Sequence, residues 1–153
     1  DAICHSASDL SRDKVGALIV IERTTKLGEY INSGVVVDAE MSTHILKNIF
    51  FNKAPLHDGA VVIRANRIHS AACILPLESD RELFKDLGTR HRAGVGITEV
   101  SDAMVVIVSE ENGIISIAQG GKISRYADSE SLRQTLSEFF WQVQSEDIDI
   151  KEN

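Results

Sequence analysis

Residues 60–75 have the sequence AVVIRANRIHSAACIL, in which two runs rich in aliphatic residues flank the pair Ala65-Asn66. Residues 60–64 and 67–75 are predicted to be the two arms of a β-hairpin, because short aliphatic runs on either side of a turn are typical of paired strands. The aliphatic residues are dense in both arms, which indicates a sheet covered on at least one face. The rest of the fold is predicted around this hairpin.

Aliphatic runs alternate with segments of helical period along the remainder of the chain. Further strands are predicted at 18–22, 35–37, 103–108 and 114–118. Helices are predicted at 25–32, from a cap at Asp38 or Ser42 through Phe50, from 89 to about 100, and from Asp128 or Ser129 through Gln142. The pattern predicts an α/β fold, a single globular domain with a central mixed β-sheet flanked by helices. A helical lead-in is expected at 1–14 and an acidic, frayed tail at 143–153.

The composition excludes several classes of protein. The chain has 23 Asp and Glu against 16 Lys and Arg, a net charge of -7, which argues against a nucleic-acid-binding protein because such a protein needs a basic face. Cys4 and Cys73 are too few for a disulfide framework, and no Cys-x-x-Cys pair exists, so neither a zinc site nor a redox pair is predicted. No apolar run is long enough to span a membrane.

Residues 86–93, DLGTRHRA, place two arginines and a histidine behind a glycine and a threonine. Guanidinium groups offer forked donors to phosphate oxygens, and a threonine that caps a helix leaves backbone N–H groups facing an anion. Thr89 is expected to be that cap, with Arg90, His91 and Arg92 in the first helical turn. The alternative is the solvated first turn of a surface helix, although the positive end of the helix dipole disfavours arginine there.

Two acidic loops are candidates for metal binding. Asp58-Gly59-Ala60 precedes a predicted strand and fits either a common turn or a carboxylate that binds a divalent cation or polarises a hydroxyl. Ser109-Glu110-Glu111 follows another strand and fits either a solvated hairpin turn or a second acidic loop. If the loops lie close together, Asp58 and Glu111 could share Mg²⁺ or Mn²⁺, and His57 is a further candidate contact.

Four segments together resemble the diadenylate cyclase domain family over about residues 15–142. The most specific are Asp58-Gly59-Ala60 and Arg90-His91-Arg92, in this order and with a predicted strand pair between them. The longer matching stretches are GALIVIER at 16–23, PLHDGAV at 55–61, LGTRHRA at 87–93 and VSEE at 108–111. Each triplet alone is a weak signal, whereas the combination is specific.

The resemblance implies a nucleotidyltransferase that condenses two ATP into cyclic di-AMP and two pyrophosphates, using Mg²⁺ or Mn²⁺, with Co²⁺ as a further candidate. It implies that Asp58 binds the metal and helps to activate the ribose 3′-hydroxyl. The triphosphate would be held by Thr89, Arg90, His91 and Arg92. Further nucleotide contacts are expected from Gly59, Ala60, Leu75, Gly88, Ser109 and Glu110, and metal contacts from Glu111 and His57.

Because each domain of this family binds one ATP, the resemblance implies a face-to-face homodimer and an inactive monomer. A regulatory protein that blocks the pairing is a candidate partner. The sequence IER at 21–23 and the short tail resemble the membrane-tethered branch of the family, which implies a cytoplasmic domain joined to the membrane through a segment outside this chain. The alternative function is a sensor that binds an adenine nucleotide or a cyclic dinucleotide without chemistry, but the carboxylates favour the enzyme.

Overall fold

Seven strands of one sheet are the framework of the computed structural model, which describes residues 1–77, 87–126 and 128–152. The strands are β1 (Ala17–Ile21), β2 (Val35–Glu40), β3 (Ala60–Arg64), β4 (Arg67–Cys73), β5 (Met104–Val108), β6 (Ile115–Gln119) and β7 (Lys122–Tyr126). Within the same residues the helices are α1 (Ala2–Arg12), α2 (Gly28–Ile31), α3 (Thr43–Phe50), α4 (Thr89–Glu99) and α5 (Ser129–Glu152).

The sheet has the strand order β2-β4-β3-β1-β5-β6-β7. The strands β1 and β3 are parallel, and every other neighbouring pair is antiparallel. The predicted mixed sheet is therefore confirmed. Every residue of β1 and β5 is buried, as expected for central strands that are covered on both faces.

Alternate residues of the central strands belong to two cores, one on each face of the sheet. In β1, Ile19 and Ile21 pack in the core that contains residues of α1, α3 and α5. Leu18 and Val20 pack on the opposite face, in the core that contains residues of α2 and α4. The domain therefore has three layers, with the sheet between two sets of helices.

The local signals in the hairpin and at α3 gave correct predictions. Ala65 and Asn66 both have positive φ, 49° and 61°, which is the geometry of the tight turn that suits the twist of a two-residue hairpin. Of the two candidate caps of α3, Ser42 is the observed one, because its Oγ accepts a hydrogen bond from the backbone N–H of Ile45 at 3.3 Å. Asp38 instead lies in β2, where its carboxylate binds Arg67 at 3.2 Å.

Several elements differ from the sequence predictions. The strand β2 extends to Glu40 instead of ending at residue 37, and the helix α2 is shorter than the predicted 25–32. The strand β4 ends at Cys73 instead of residue 75. The strand β7 was not predicted, because it lies at the edge of the sheet and its residues are all exposed or half-buried. The helix α5 continues to Glu152, beyond its predicted end at Gln142. No glycine or proline interrupts 129–152, and Leu132, Leu136 and Phe139 anchor the first half of the helix in the core.

Candidate active site

A cleft of about 970 Å³ opens at one end of the strands, on the face of the sheet covered by α4. The strand register explains its position, because Ala17 of β1 opposes Val108 of β5, and Val108 opposes Ile115 of β6. The start of β3 lies at the same end of the sheet, since β3 is parallel to β1, and so does the end of β7. The loops at these strand ends therefore converge, and the volume of the cleft suits a ligand of nucleotide size.

Most of the residues that the sequence singled out line this cleft. They are His57, Asp58, Gly59, Leu75, Gly88, Thr89, Arg90, His91, Ser109, Glu110 and Glu111. Two others do not line it: Ala60 is fully buried in the core on the α4 side, and Arg92 lies in the first turn of α4. The structure thus brings the two acidic loops and the arginine cluster to one place.

The Asp58-Gly59 turn lies directly against β4. Gly59 has a φ of +100°, and a Cβ built on it would come within 2.9 Å of the Ala72 carbonyl carbon and the Cys73 oxygen. Ala72 has a φ of +56° beside a shift in the β3–β4 register, which marks a β-bulge. The missing Cβ of Gly59 thus allows close approach to the β4 backbone, and Asp58 is exposed at the mouth of the cleft.

His57 is oriented by the backbone of its own loop. Its Nδ1 lies 2.7 Å from the carbonyl oxygen of Ala54. A carbonyl oxygen only accepts hydrogen bonds, so in the neutral ring Nδ1 donates the proton and Nε2 keeps its lone pair. Histidines that bind metals are commonly oriented in this way.

The start of α4 corrects one prediction. Gly88, and not Thr89, is the N-cap residue: it has extended backbone angles, with φ −71° and ψ 174°, whereas Thr89 is the first helical residue. Gly88 has no side chain that could cap this N-terminus by a hydrogen bond. Among the residues that the structure describes, the first N–H groups of α4 are therefore available to an anion at the positive end of the helix dipole.

Arg90 is held in a narrow space beside β1. A Cβ built on Gly16 would lie 2.5 Å from the Arg90 Cζ, so the guanidinium occupies the space that a side chain at position 16 would fill. The Arg90 Nη1 lies 3.6 Å from a Glu110 carboxylate oxygen. Its Nε is buried and has no hydrogen-bond partner among the described residues. Such a buried donor needs an acceptor, which a ligand or an ordered water can supply.

His91 is less basic than an ordinary histidine. Burial lowers the pKa of its imidazole below 6.5, and the positive charges of Arg125 and Arg90 lower it further, while Glu111 acts in the opposite direction. At pH 7 the ring is therefore neutral, and the positive charge of this cluster comes from its arginines.

We expect this shift to make the chain less stable in mild acid. Because the unfolded chain binds a proton at His91 more readily than the folded chain does, the free energy of unfolding decreases as the pH falls below about 6.5. In a His91→Gln variant the decrease should be smaller, whereas His44→Gln, at an exposed position in α3, should keep the wild-type slope. Urea denaturation between pH 5 and pH 8 measures the effect; equal slopes in all three proteins would contradict it.

The acidic loop between β5 and β6 is held by local hydrogen bonds. Ser109 Oγ accepts from the Glu111 N–H at 3.2 Å, and Asn112 Oδ1 accepts from the Ile114 N–H at 2.9 Å. Ser11, at the end of α1, donates from its hydroxyl to the Gly113 carbonyl at 2.5 Å. The loop thus presents Glu110 and Glu111 to the cleft on a braced backbone.

The carboxylates fit a cation that takes part of its coordination from a ligand. Among the described residues, no three His, Cys, Asp or Glu side chains are grouped closely enough to hold a metal ion by themselves. Asp58 and Glu111 nevertheless offer hard oxygen donors to the same cleft. Such a donor set suits Mg²⁺ or Mn²⁺, which commonly bind through one or two carboxylates together with water and substrate phosphates.

The cleft also has lining residues that were not predicted from the sequence. Among them are Ala72, Asn112, Ser116, Ile123 and Arg125. Asn112 directly follows the acidic triplet, so its position was a usable signal. Ile123 and Arg125 belong to β7, and their alternation along that strand was the only local signal for them.

Known proteins are similar to this chain in sequence and in fold. The family model described as DisA bacterial checkpoint controller nucleotide-binding (DAC) matches residues 4–123. The chain is 44% identical over 140 residues to the cyclic di-AMP synthase CdaA of Bacillus subtilis, covering 92% of this chain and 51% of that protein. It is 44% identical over 136 residues to a diadenylate cyclase of Listeria monocytogenes, covering 89% and 50%. The chain spans about half the length of these curated relatives.

Two solved structures are also similar. The crystal structure of DacA from Staphylococcus aureus has a TM-score of 0.87 at 43% identity, covering 90% of this chain and 91% of that chain. A protein of Bacillus cereus described as a hypothetical membrane spanning protein has a TM-score of 0.79 at 44% identity, covering 82% and 62%. In the part of this chain that the structure describes, no helix is long and apolar enough to cross a membrane. From the family model, the curated relatives and the shared fold, the chain belongs to the DisA bacterial checkpoint controller nucleotide-binding family, the diadenylate cyclase domain.

Proposed function

We propose that this chain is the catalytic domain of a diadenylate cyclase, which converts two ATP into cyclic di-AMP and two pyrophosphates. The observation that carries the proposal is the convergence of the Asp58-Gly59 turn and the uncapped start of α4 in one cleft. The names of the relatives, a cyclic di-AMP synthase and a diadenylate cyclase, support this reaction.

The cleft suggests how one ATP is bound. The triphosphate lies at the start of α4, where the backbone N–H groups of 89–91 and the side chains of Thr89, Arg90 and His91 face it. Arg92 adds positive charge from the same turn. The remaining nucleotide contacts are assigned to Gly59, Leu75, Gly88, Ser109 and Glu110. Ala60, which is buried and does not line the cleft, contributes as the support of the Gly59 turn.

Asp58 and Glu111 are the proposed holders of a divalent ion, Mg²⁺, Mn²⁺ or Co²⁺, with His57 as a further contact. When bound, this ion neutralises charge on the phosphates and lowers the pKa of a coordinated hydroxyl. Asp58 is exposed in the cleft, where its carboxylate can accept a proton from the ribose 3′-hydroxyl. The arginines at α4 balance the negative charge that develops on the leaving pyrophosphate.

The reaction requires two copies of the domain. In each half, a 3′-oxygen of one ATP attacks the α-phosphorus of the other, and the bond from that phosphorus to the bridging oxygen breaks. The 3′-hydroxyl proton goes to Asp58 or to water, and pyrophosphate leaves with the electron pair. Two such bonds in one cyclic product are related by symmetry, which suits a face-to-face homodimer and makes the monomer inactive.

The setting of the domain is also a proposal. The relatives are about twice as long as this chain, and a similar structure carries the description membrane spanning protein. We propose that the domain works on the cytoplasmic side of a membrane, to which the full-length protein is tethered. A regulatory protein that prevents the face-to-face pairing would then control the activity.

The test is incubation of the purified chain with ATP and Mn²⁺ or Mg²⁺ over a range of protein concentrations, with products identified by chromatography and mass. We expect cyclic di-AMP and pyrophosphate, at a rate that rises more steeply than linearly with protein concentration, because two domains must pair. A linear dependence at concentrations at which the chain is shown to be monomeric would contradict the obligatory dimer. Saturable ATP binding without product, in a chain shown to dimerise, would favour the sensor.

A further inference from the structure

Arg125 lies in the cleft although no motif includes it. It is in the edge strand β7, opposite Ser116 of β6. Ser116 and Ile123 line the same cleft, and Ile123 packs against the core on the α4 side. Because residues two apart in a strand point to the same face, Arg125 is directed to the side of the sheet that carries α4.

The electrostatic surroundings of Arg125 differ from those of most other arginines. Arg12, Arg64, Arg67, Arg90 and Arg133 each have a carboxylate oxygen within 4.0 Å. Arg125 has no such ion pair within the residues 1–77, 87–126 and 128–152. In a chain of net charge -7, an arginine that lines a cleft and forms no ion pair with a described carboxylate is suited to an anionic ligand.

Asp58, Arg90 and Arg125 follow one another across the sheet, at the strand ends that form the cleft. Asp58 lies before β3, Arg90 packs against Gly16 before β1, and Arg125 lies in β7. The strands β1, β5 and β6 lie between β3 and β7, so the start of β3 and the end of β7 are about 19 Å apart at the usual strand spacing. His91, in the first turn of α4, lies near enough to Arg125 for its pKa to respond to that charge. A nucleotide with its ribose at Asp58 has room in the cleft to extend its phosphates past Arg90 toward Arg125.

We infer that Arg125 binds the terminal phosphates of the nucleotide and thereby selects a triphosphate over a monophosphate. This inference rests on the proposed function, because it takes the nucleotide and its direction from that proposal. The α-phosphate, nearer to Arg90 and Asp58, does not depend on Arg125. Removing this side chain therefore affects ATP and leaves AMP largely unaffected.

The test is calorimetric titration of the chain, in Mg²⁺, with α,β-methylene ATP, which cannot release pyrophosphate, and separately with AMP. Arg125→Ala should weaken binding of the triphosphate about 10- to 100-fold, the range for loss of charge-assisted hydrogen bonds, and change AMP binding less than about twofold. Arg125→Lys should recover most of the lost affinity. The matched control is Lys122→Ala, which removes a positive charge from the same strand outside the cleft and should change neither ligand.

The outcomes separate this inference from the proposed function. If Arg125→Ala lost the same affinity for the triphosphate and for AMP, or lost none for either, the role of Arg125 would be overturned. The proposed function would not be affected by either result. Failure of the wild-type chain to bind either nucleotide would overturn the proposed function and this inference with it. All variants should unfold at the same temperature as the wild-type chain, which would show that β7 is undisturbed.

Discussion

Replacing Asp58 by asparagine is expected to reduce cyclic di-AMP formation by about 100-fold or more while the chain stays folded. Asparagine has nearly the same shape but cannot accept the 3′-hydroxyl proton, and it is a weaker ligand for a divalent cation; general-base catalysis alone contributes about 10²- to 10⁴-fold. Asp58 is exposed, and no hydrogen bond or ion pair joins its side chain to another described residue. The fold therefore loses little when the charge is removed.

The experiment compares product formation and nucleotide affinity in one series. Asp58→Asn should still bind ATP, because the proposed triphosphate contacts are at α4. Asp13→Asn removes the same charge from an exposed position outside the cleft, at the end of α1, and should keep wild-type activity. Undiminished synthesis by Asp58→Asn would contradict the role assigned to this carboxylate, whatever the state of the metal.

The sequence predicted those features of the fold that depend on local chemistry. The turn at Ala65-Asn66 and the cap at Ser42 each follow from side chains and backbone within a few residues. The strand β7 depends instead on pairing with β6, and nothing local compels it, because its side chains are not fully buried. Arg125 was missed for the same reason, since only the pairing of that edge strand brings it to the cleft.

The candidate site shows the same division. The sequence could indicate that Asp58 and Arg90 matter, because paired motifs define a family, but the depressed pKa of His91 arises from burial and from a charge in another strand. The cap of α4 could not be decided between adjacent residues, since Gly88 and Thr89 are distinguished only by their backbone angles. For Gly59, the family resemblance implied a nucleotide contact, whereas the structure shows that the backbone of β4 lies directly against this residue.

The close contact of Gly59 with β4 predicts a second large effect, on stability. In Gly59→Ala, an L residue must adopt a φ of +100°, which costs about 1–3 kcal/mol by itself. The new Cβ also meets the Ala72 carbonyl carbon and the Cys73 oxygen at 2.9 Å, and these are backbone atoms of a paired strand, which cannot rotate away as a side chain could. We expect the free energy of unfolding to fall by about 3 kcal/mol in total, with overpacking supplying the remainder.

Urea denaturation of Gly59→Ala and Gly28→Ala at pH 7 measures this effect with a matched control. A Cβ on Gly28, at the start of α2, meets nothing within 4 Å, and its φ is not positive, so that substitution should leave the free energy of unfolding nearly unchanged. If Gly59→Ala were as stable as Gly28→Ala, the turn would have to relax away from β4, and Asp58 would move with it. Product formation is then measured at a temperature where both variants are folded. A turn that relaxes would leave the protein stable but reduce its activity, whereas a turn that remains strained would reduce the stability of the protein first.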